Sequence, residues 1–239
     1  MEREDLLSRL KGKLIVSCQA LDGEPLSGLG MMGNMAKAAK VGGAAAIRAN
    51  GGSDVSDIKA KTNLPVIGIV KQHYENSEVF ITPTIKEIDE LLQAKADIIA
   101  LDATTRLRPE GISLEELVQH VRKKSSALIM GDVSTVQEGI LASELGVDIL
   151  STTLSGYTPY SPQLEGPDFT LIKELTRLVD LPVIAEGRIR KPEEASRALR
   201  LGAYSVVVGA AITRPHLITR RFTDALENYL SIETGKMCN

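Results

Sequence analysis

Lys71 closes a run of five residues without polar side chains, VIGIV at 66–70. A lysine there is either a strand end that reaches solvent or an amine placed at the rim of the core. A free lysine amine titrates near ~10.4, whereas a general base at neutral pH needs a pKa of roughly 7 to 8. Partial burial and a nearby arginine would lower the pKa, and a carboxylate partner would keep the amine charged. The sequence leaves three uses open for Lys71: a base, a charged anchor, or a Schiff-base amine.

Polar residues also stand at the ends of the other apolar runs. Seven of the eight ends are polar: Gln19, Arg48, Lys71, Asp102, Asp132, Ser151 to Thr153, and Glu186, with Gly209 at the eighth. A single charge at such an end can mean only that the following loop is wet. As a set, however, these residues would place two cations and three carboxylates around one opening if the runs are strands of a barrel.

The last two runs end in glycine-containing segments, IAEGRIRKP and VVVGAAITRP. Glycine lets backbone N–H groups approach an anion, and the start of a short helix adds free amides and a positive dipole. In (β/α)8 barrels the loops after strands seven and eight are a frequent phosphate site. We therefore predict a phosphate site formed by Gly187, Arg188, Gly209, Ala210 and Arg214.

The elements that must position these residues are short and strongly apolar. Eight runs rich in β-branched residues occupy 13–18, 44–49, 65–71, 97–102, 126–132, 147–152, 182–187 and 205–210. They are too short for helices. Continuous rather than alternating hydrophobicity predicts strands that are buried on both faces, as in a parallel sheet.

Segments between the runs have apolar residues at intervals of three and four, which predicts amphipathic helices. Examples are 84–96, 113–124, 134–146 and 191–202, and further helices are expected at about 2–11 and 215–231. The expected end signals are Thr84 and Ser113 as N-caps, Pro192 at a first helical position, and Gly146 and Gly202 at C-terminal stops.

Eight strand–helix units in 239 residues predict an α/β protein with one domain over 1–239, a (β/α)8 barrel. An open doubly wound sheet is the structural alternative. The sequence LPVI occurs at 64–67 and again at 181–184, four units apart, which weakly favours closure into two similar halves.

Composition excludes several classes of function. A net charge of −3 without a basic stripe gives no footprint for nucleic acid or an anionic membrane, and we expect a cytoplasmic protein because no apolar run resembles a signal peptide or membrane span. Cys18 and Cys238 have no metal-type spacing, and we expect reduced thiols, with Cys18 in the core. Three scattered histidines, His73, His120 and His216, do not form a metal site, so no metal or cofactor is expected.

The strand ends, read in order, resemble the bacterial N-acetylmannosamine-6-phosphate 2-epimerases. The resemblance covers nearly the whole chain, through 15–26, 44–51, 64–74, 98–109, 128–135, 148–158, 182–189 and 206–215. It implies metal-independent interconversion of N-acetylmannosamine 6-phosphate and N-acetylglucosamine 6-phosphate, in sialic acid and amino-sugar catabolism. The reaction would proceed by removal and return of the proton at C2 of the open-chain sugar.

The same resemblance implies roles for individual residues. Lys71 matches the base at C2, and Glu186 matches its partner in proton delivery, either at the carbonyl or on the opposite face. Gln19, Arg48 and Asp132 match positions that hold the sugar hydroxyls and the N-acetyl group. The glycines and Arg214 match the phosphate contacts.

Relatives in the family commonly form homodimers. The last helix carries an apolar stripe of Phe222, Leu226, Tyr229 and Leu230. We expect this stripe to cover its own barrel, with a dimer contact as the alternative.

Two other functions remain open from the residues. One is a phosphosugar aldolase or synthase that uses Lys71 as a Schiff base. The other is a regulatory barrel that binds a sugar phosphate without reaction.

Overall fold

The protein is a closed barrel of eight parallel strands. The computed structural model describes residues 3–20, 23–28 and 30–236. Neighbouring strands pair in parallel from β1 to β8, and β8 pairs back onto β1. The strands are β1 (Leu14–Cys18), β2 (Ala46–Asn50), β3 (Val66–Ile69), β4 (Ile98–Asp102), β5 (Leu128–Asp132), β6 (Ile149–Ser151), β7 (Val183–Ala185) and β8 (Ser205–Val208). This closure confirms the (β/α)8 architecture and excludes the open sheet.

Helices alternate with the strands along the chain. They are α1 (Arg3–Leu10), α2 (Met31–Val41), α3 (Gly52–Thr62), α4 (Ile85–Gln93), α5 (Leu114–Lys124), α6 (Val136–Glu144), α7 (Phe169–Leu178), α8 (Pro192–Arg200), α9 (Ala210–Thr213) and α10 (Pro215–Lys236). Helix α1 precedes β1, one α-helix follows each of the first seven strands, and α9 and α10 follow β8.

The predicted helix ends are confirmed. Thr84 and Ser113 each accept a hydrogen bond from an amide of the first turn, and a glutamate three residues later completes both capping boxes. Pro192 is the first residue of α8. Gly146 and Gly202 follow α6 and α8 with φ of 89° and 101°, a left-handed conformation that glycine adopts without strain.

Side chains alternate between the barrel interior and the helix layer along each strand. Ile67 and Ile69 of β3, and Ile184 of β7, belong to the apolar cluster that fills the barrel. Lys71 and Glu186 follow two residues after Ile69 and Ile184, so they share the inward direction. This period of two aims the polar strand ends at the mouth of the barrel.

The amino-terminal end of the barrel is closed by α1. Its residues Leu6 and Leu10 are buried and pack with the interior cluster. Helix α1 therefore covers the apolar interior at the amino ends of the strands, and the polar strand ends lie at the opposite end of the barrel.

Cys18 faces the opposite way, into the layer between the sheet and the helices. Its side chain is fully buried in the outer cluster with Val16 and Ile47. Burial raises the pKa of the thiol to about 12, so it stays protonated at neutral pH. This confirms the core assignment of Cys18, whereas Cys238 lies outside the described residues.

The expectation that the last helix covers its own barrel is wrong. Phe222, Leu226 and Tyr229 are 70%, 65% and 61% exposed, and the side chain of Leu230 lies outside the described part of the chain. The helix continues beyond the predicted end, to Lys236. An apolar stripe predicts a buried face, but it does not say which molecule provides the cover.

None of the helices in the described ranges is long and apolar enough to cross a membrane.

Candidate active site

A cavity of about 360 Å³ opens at the carboxyl ends of the strands. Nine of the ten predicted site residues line it: Gln19, Arg48, Lys71, Glu186, Gly187, Arg188, Gly209, Ala210 and Arg214. The tenth, Asp132, does not. The barrel therefore brings together residues that are up to 195 positions apart in the sequence, from Gln19 to Arg214.

Lys71 lies two residues beyond the end of β3, in a short antiparallel bridge with Ile81. Its backbone N–H donates to Oδ1 of Asn50 on β2 at 2.8 Å. The side chain lines the cavity beside apolar Ile69 and Phe80. Burial lowers the pKa of the amine, and the nearby guanidinium groups of Arg48 and Arg214 lower it further. Lys71 is therefore held rigidly and shifted toward the neutral form that a base requires.

Arg48 on β2 is the charged centre of the barrel mouth, with only 1% of its surface exposed. Nη1 and Nη2 donate to the two carboxylate oxygens of Asp132 at 3.0 and 2.5 Å. Nη1 also donates to Oε2 of Glu186 at 2.9 Å. Burial opposes the charge, but the carboxylates of Asp132 and Glu186 outweigh it and raise the pKa of the guanidinium. Arg48 is a permanent cation between two acids.

Asp132 lies behind Arg48 rather than at the cavity surface. It is completely buried, and both its oxygens accept from Arg48. A direct contact between this carboxylate and a sugar, as the resemblance implied, does not fit this placement. Its position instead suits the orientation of Arg48.

Asp102 was also expected at the shared opening, and this is wrong. It is buried, it accepts from the N–H and hydroxyl of Thr104 at 2.9 and 2.6 Å, and it pairs with Arg106 at 2.6 Å. The carboxylate holds the loop after β4 and is absent from the cavity wall.

Glu186 is held by its backbone as well as by its side chain. Its N–H donates to Oγ1 of Thr152 at 3.1 Å, and the Thr152 hydroxyl donates to the Glu186 carbonyl at 2.8 Å. Burial raises the pKa of the carboxyl against the attraction of Arg48, and neighbouring Asp132 raises it further. Glu186 is therefore shifted toward its protonated form.

Gln19 lines the same cavity from the end of β1. Its side-chain amide donates to Oγ of Ser17 at 2.8 Å, which fixes the orientation of the carboxamide. The orientation of the Gln19 carboxamide is thus set by Ser17, which lies two residues earlier and also faces the barrel interior.

The predicted phosphate site lies at the ends of β7 and β8. Gly187 has a φ of 112°, which favours glycine, and α9 starts at Ala210, so its first amides have no acceptor within the helix. Arg214 pairs with Glu24 across 2.8 Å. This end of the cavity combines amide donors with a cation.

Arg188 is partly committed to the loop between β6 and α7. Its Nε donates to the Gly166 carbonyl at 3.0 Å, and its guanidinium lies 5.6 Å from the ring centre of Tyr157. Nη1 lies 2.0 Å from the place of a Cβ on Gly156, so a side chain there would displace the guanidinium, and the φ of 76° at this position also favours glycine. Arg188 thereby shapes the cavity wall in addition to its charge.

Three residues near the site were not among those predicted. Thr153 contacts Asp132 and Glu186, Thr152 holds the Glu186 backbone, and Asn50 holds the Lys71 backbone. The run of hydroxyl residues at 151–153 was a signal for the first two, because it follows a strand at the polar end. Nothing in the sequence distinguished Asn50. Across the described residues no three His, Cys, Asp or Glu side chains are grouped to hold a metal ion.

Comparisons with known proteins identify the family of this chain. The family model NanE, "Putative N-acetylmannosamine-6-phosphate epimerase", matches residues 32–228. A Clostridium perfringens protein named "Putative N-acetylmannosamine-6-phosphate 2-epimerase" is 58% identical over 222 residues, 93% of this chain and 100% of the relative. A protein of the same name from Caldanaerobacter subterraneus is 55% identical over 219 residues, 91% and 92% of the two chains.

Two solved structures share the fold of this chain. The N-acetylmannosamine-6-phosphate 2-epimerase from Clostridium perfringens superposes with a TM-score of 0.91 at 56% identity, over 94% of this chain and 98% of that one. A thiamine phosphate pyrophosphorylase from Pyrococcus furiosus, at 20% identity and a TM-score of 0.59 over 86% and 89%, shares only the fold. With a family match over most of its length and relatives above half identity, the chain belongs to the N-acetylmannosamine-6-phosphate epimerase family.

Proposed function

We propose that the protein interconverts N-acetylmannosamine 6-phosphate and N-acetylglucosamine 6-phosphate, a step in sialic acid and amino-sugar catabolism. One observation carries the proposal: an amine with a lowered pKa and a carboxyl with a raised pKa line the same cavity. Two titratable groups whose pKa values are pushed toward each other are suited to act as base and acid at one pH. The names of the relatives supply the substrate.

Lys71 acts as the base at C2 of the open-chain sugar. The aldehyde at C1 makes the C2 proton removable, because the electron pair of the broken C–H bond moves into an enol-like system. The neutral amine takes this proton. Return of a proton to the opposite face of C2 gives the epimer.

Glu186 acts as the acid for the carbonyl oxygen. As the C1–C2 double bond forms, the oxygen gains negative charge and takes the Glu186 proton. Arg48 lies against Glu186 and stabilises the carboxylate that remains. Such preorganised charge is often the largest contribution to catalysis.

Binding contacts surround these two groups. The Gln19 carboxamide is placed to bind sugar hydroxyls or the acetamido group. The amides at Gly187, Gly209 and Ala210, with the guanidinium groups of Arg188 and Arg214, form the phosphate site. Asp132 serves the substrate through Arg48. No cofactor or metal takes part in this scheme.

We also propose a homodimer, because the exposed stripe of Phe222, Leu226 and Tyr229 needs a cover that its own barrel does not provide. A phosphorylated sugar does not cross a membrane unaided, so the proposed place of action is the cytoplasm, where the sugar phosphate is held.

Proton NMR of N-acetylmannosamine 6-phosphate in heavy water with the pure protein tests the function. We expect the signals of N-acetylglucosamine 6-phosphate to appear, with deuterium at C2 of both sugars. Binding without product or exchange would indicate a regulatory barrel. A covalent adduct trapped by borohydride would indicate Schiff-base chemistry at Lys71 and would contradict the proposal.

A further inference from the structure

We propose that the hydroxyl of Thr153 is a positioning group that turns between Asp132 and Glu186, so that Glu186 keeps a hydrogen bond to this hydroxyl both when it holds its proton and when it has released it. The inference rests on the proposed function, because it concerns the proton that Glu186 exchanges with the substrate. It goes further by assigning a role to a residue outside the predicted site.

The geometry places one hydroxyl between two acids. Oγ1 of Thr153 lies 2.7 Å from Oδ1 of Asp132 and 3.1 Å from Oε2 of Glu186. Its other neighbours are the hydroxyl of Ser151, at 2.8 Å, and Nη1 of Arg48, which donates to it over 3.4 Å. A threonine hydroxyl has one proton to donate and two lone pairs that accept.

The number of available protons limits the hydrogen bonds among these oxygens. One O–H cannot donate to both carboxylates at once. If both acids were ionised, one of the two short oxygen contacts would lack a hydrogen. With a proton on Glu186, each of the three oxygen–oxygen contacts has its hydrogen: Glu186 donates to Thr153, Thr153 donates to Asp132, and Ser151 donates to the second lone pair of Thr153. The longer contact from Arg48 shares these lone pairs.

After Glu186 has given its proton away, the hydroxyl can rotate. Thr153 then donates to the ionised Glu186, while Asp132 keeps its two hydrogen bonds from Arg48. Each protonation state of Glu186 thus has a matching hydroxyl orientation. The 2.7 Å contact between Thr153 and Asp132 then lacks its hydrogen and lengthens, while the two hydrogen bonds from Arg48 hold Asp132 in place.

The other groups that face Glu186 do not switch between donating a hydrogen bond to it and accepting one from it. Arg48 is a donor that stays charged in both states, Lys71 acts on Glu186 through its charge, and Asp132 is an anion that opposes ionisation of Glu186. Burial raises the pKa of Glu186, and the hydrogen bond from Thr153 is one of the contacts that lower it. Thr153 is the neighbour that can both donate to the anion and accept from the acid.

The proton step balances within this group. The Glu186 O–H bond breaks and its proton bonds to the carbonyl oxygen, whose π electrons form the new O–H bond. The C2–H electron pair forms the C1–C2 double bond, and Lys71 holds the C2 proton. The planar intermediate then turns its other face toward Lys71, which returns a proton to C2 as the C1–C2 electron pair forms the new C–H bond, and the O–H bond breaks to return its proton to Glu186. Both groups are restored, so the cycle uses no co-reactant.

Thr153→Val removes the hydroxyl at nearly constant shape, and Thr153→Ser keeps it. For Thr153→Val we expect kcat to fall at least tenfold with KM within twofold. We also expect the Glu186 limb of the pH profile to move upward, because a hydrogen bond to the anion is stronger than one from the neutral acid. Thr153→Ser should restore both. A superimposable Thr153→Val profile, or a Thr153→Ser variant as impaired as Thr153→Val, would overturn the inference.

Thr176→Val is the matched control, because the Thr176 hydroxyl donates to backbone carbonyls on the outside of the barrel. It should leave the profile unchanged. Thr153→Cys, with a weak S–H donor, replaces Thr153→Val if the latter does not fold, and the same upward movement is expected.

A second readout separates this inference from the proposed activity. The carboxyl signal of Glu186, labelled with carbon-13 and assigned with Glu186→Gln, reports its titration without substrate. We expect this signal to titrate at higher pH in Thr153→Val than in the wild type, even if the wild type does not epimerise the sugar. Unchanged titration would refute the role of Thr153, whereas failed turnover of the wild type would refute only the proposed reaction.

Discussion

Arg48 on β2 and Asp132 on β5 form a two-point ion pair across the inside of the barrel, with N–O distances of 3.0 and 2.5 Å. The two strands are not neighbours, since β3 and β4 lie between them. The side chains are 1% and 0% exposed. This pair links two sides of the barrel and fixes the guanidinium that contacts Glu186.

Asp132→Ala should strongly destabilise the protein, because it leaves the Arg48 charge buried with one acid fewer. We expect a loss of about 3–5 kcal/mol in the free energy of unfolding, measured by urea denaturation. Asp57→Ala is the control: Asp57 pairs with Lys61 near the surface, 2.8 Å away, and its loss should cost less than about 1 kcal/mol. Equal losses of unfolding free energy in the two variants would mean that the buried ion pair between Asp132 and Arg48 stabilises the protein no more than an ion pair at the surface.

Lys71→Ala should abolish both turnover and deuterium exchange at C2. Loss of a general base typically lowers the rate by about 10²–10⁴-fold. Substrate should still bind, because the phosphate and hydroxyl contacts remain, and calorimetry with N-acetylmannosamine 6-phosphate checks this. Lys124→Ala, at an exposed surface pair with Asp89, should behave as the wild type. Retained exchange in Lys71→Ala would place the base elsewhere.

The lowered pKa of Lys71 also affects stability. The unfolded chain binds this proton up to the ordinary pKa of 10.5, whereas the folded chain releases it at lower pH. Burial therefore destabilises the fold fully below the folded pKa, and the effect disappears as the pH rises toward 10.5. Lys71→Met should have a higher melting temperature than the wild type at pH 7. The difference should shrink in alkaline buffer, and a constant difference would contradict the shift.

Gly209→Asp should weaken substrate binding. A carboxylate at the end of β8 would repel the phosphate from the first amides of α9, and we expect KM to rise at least about tenfold, equivalent to ~1.4 kcal/mol. Gly42→Asp is the control, since Gly42 follows α2 with an ordinary φ of −72° at the opposite end of the barrel. An unchanged KM in Gly209→Asp would move the phosphate site away from this strand.

The exposed face of α10 predicts the oligomeric state. Phe222→Glu combined with Leu226→Glu should halve the mass measured by light scattering, because like charges on both sides of a buried contact oppose association. Val41→Glu, at a side chain that is 90% exposed and far from α10 in the sequence, should leave the mass unchanged. A wild type that is already monomeric would exclude the dimer.

Much of the fold could be predicted because its signals are local. A parallel barrel strand is apolar on both faces, a helix repeats with a period near 3.6, and caps such as Thr84 and Pro192 act within one turn. The order of eight such units favours closure, and the pairing of β8 with β1 confirms it. The polar residues at strand ends could be identified for the same reason: Lys71 and Glu186 follow buried residues two positions earlier.

Only the tertiary structure decided which polar side chains reach the cavity. Asp132 and Lys71 both follow apolar runs, yet one is enclosed behind Arg48 and the other lines the cavity, because the difference depends on a side chain from a strand three positions away around the barrel. The same holds for Thr153, whose four partners lie on or next to three other strands and its own. Likewise, the apolar stripe of α10 was legible in the sequence, but its exposure was not, since burial depends on what the rest of the chain leaves uncovered.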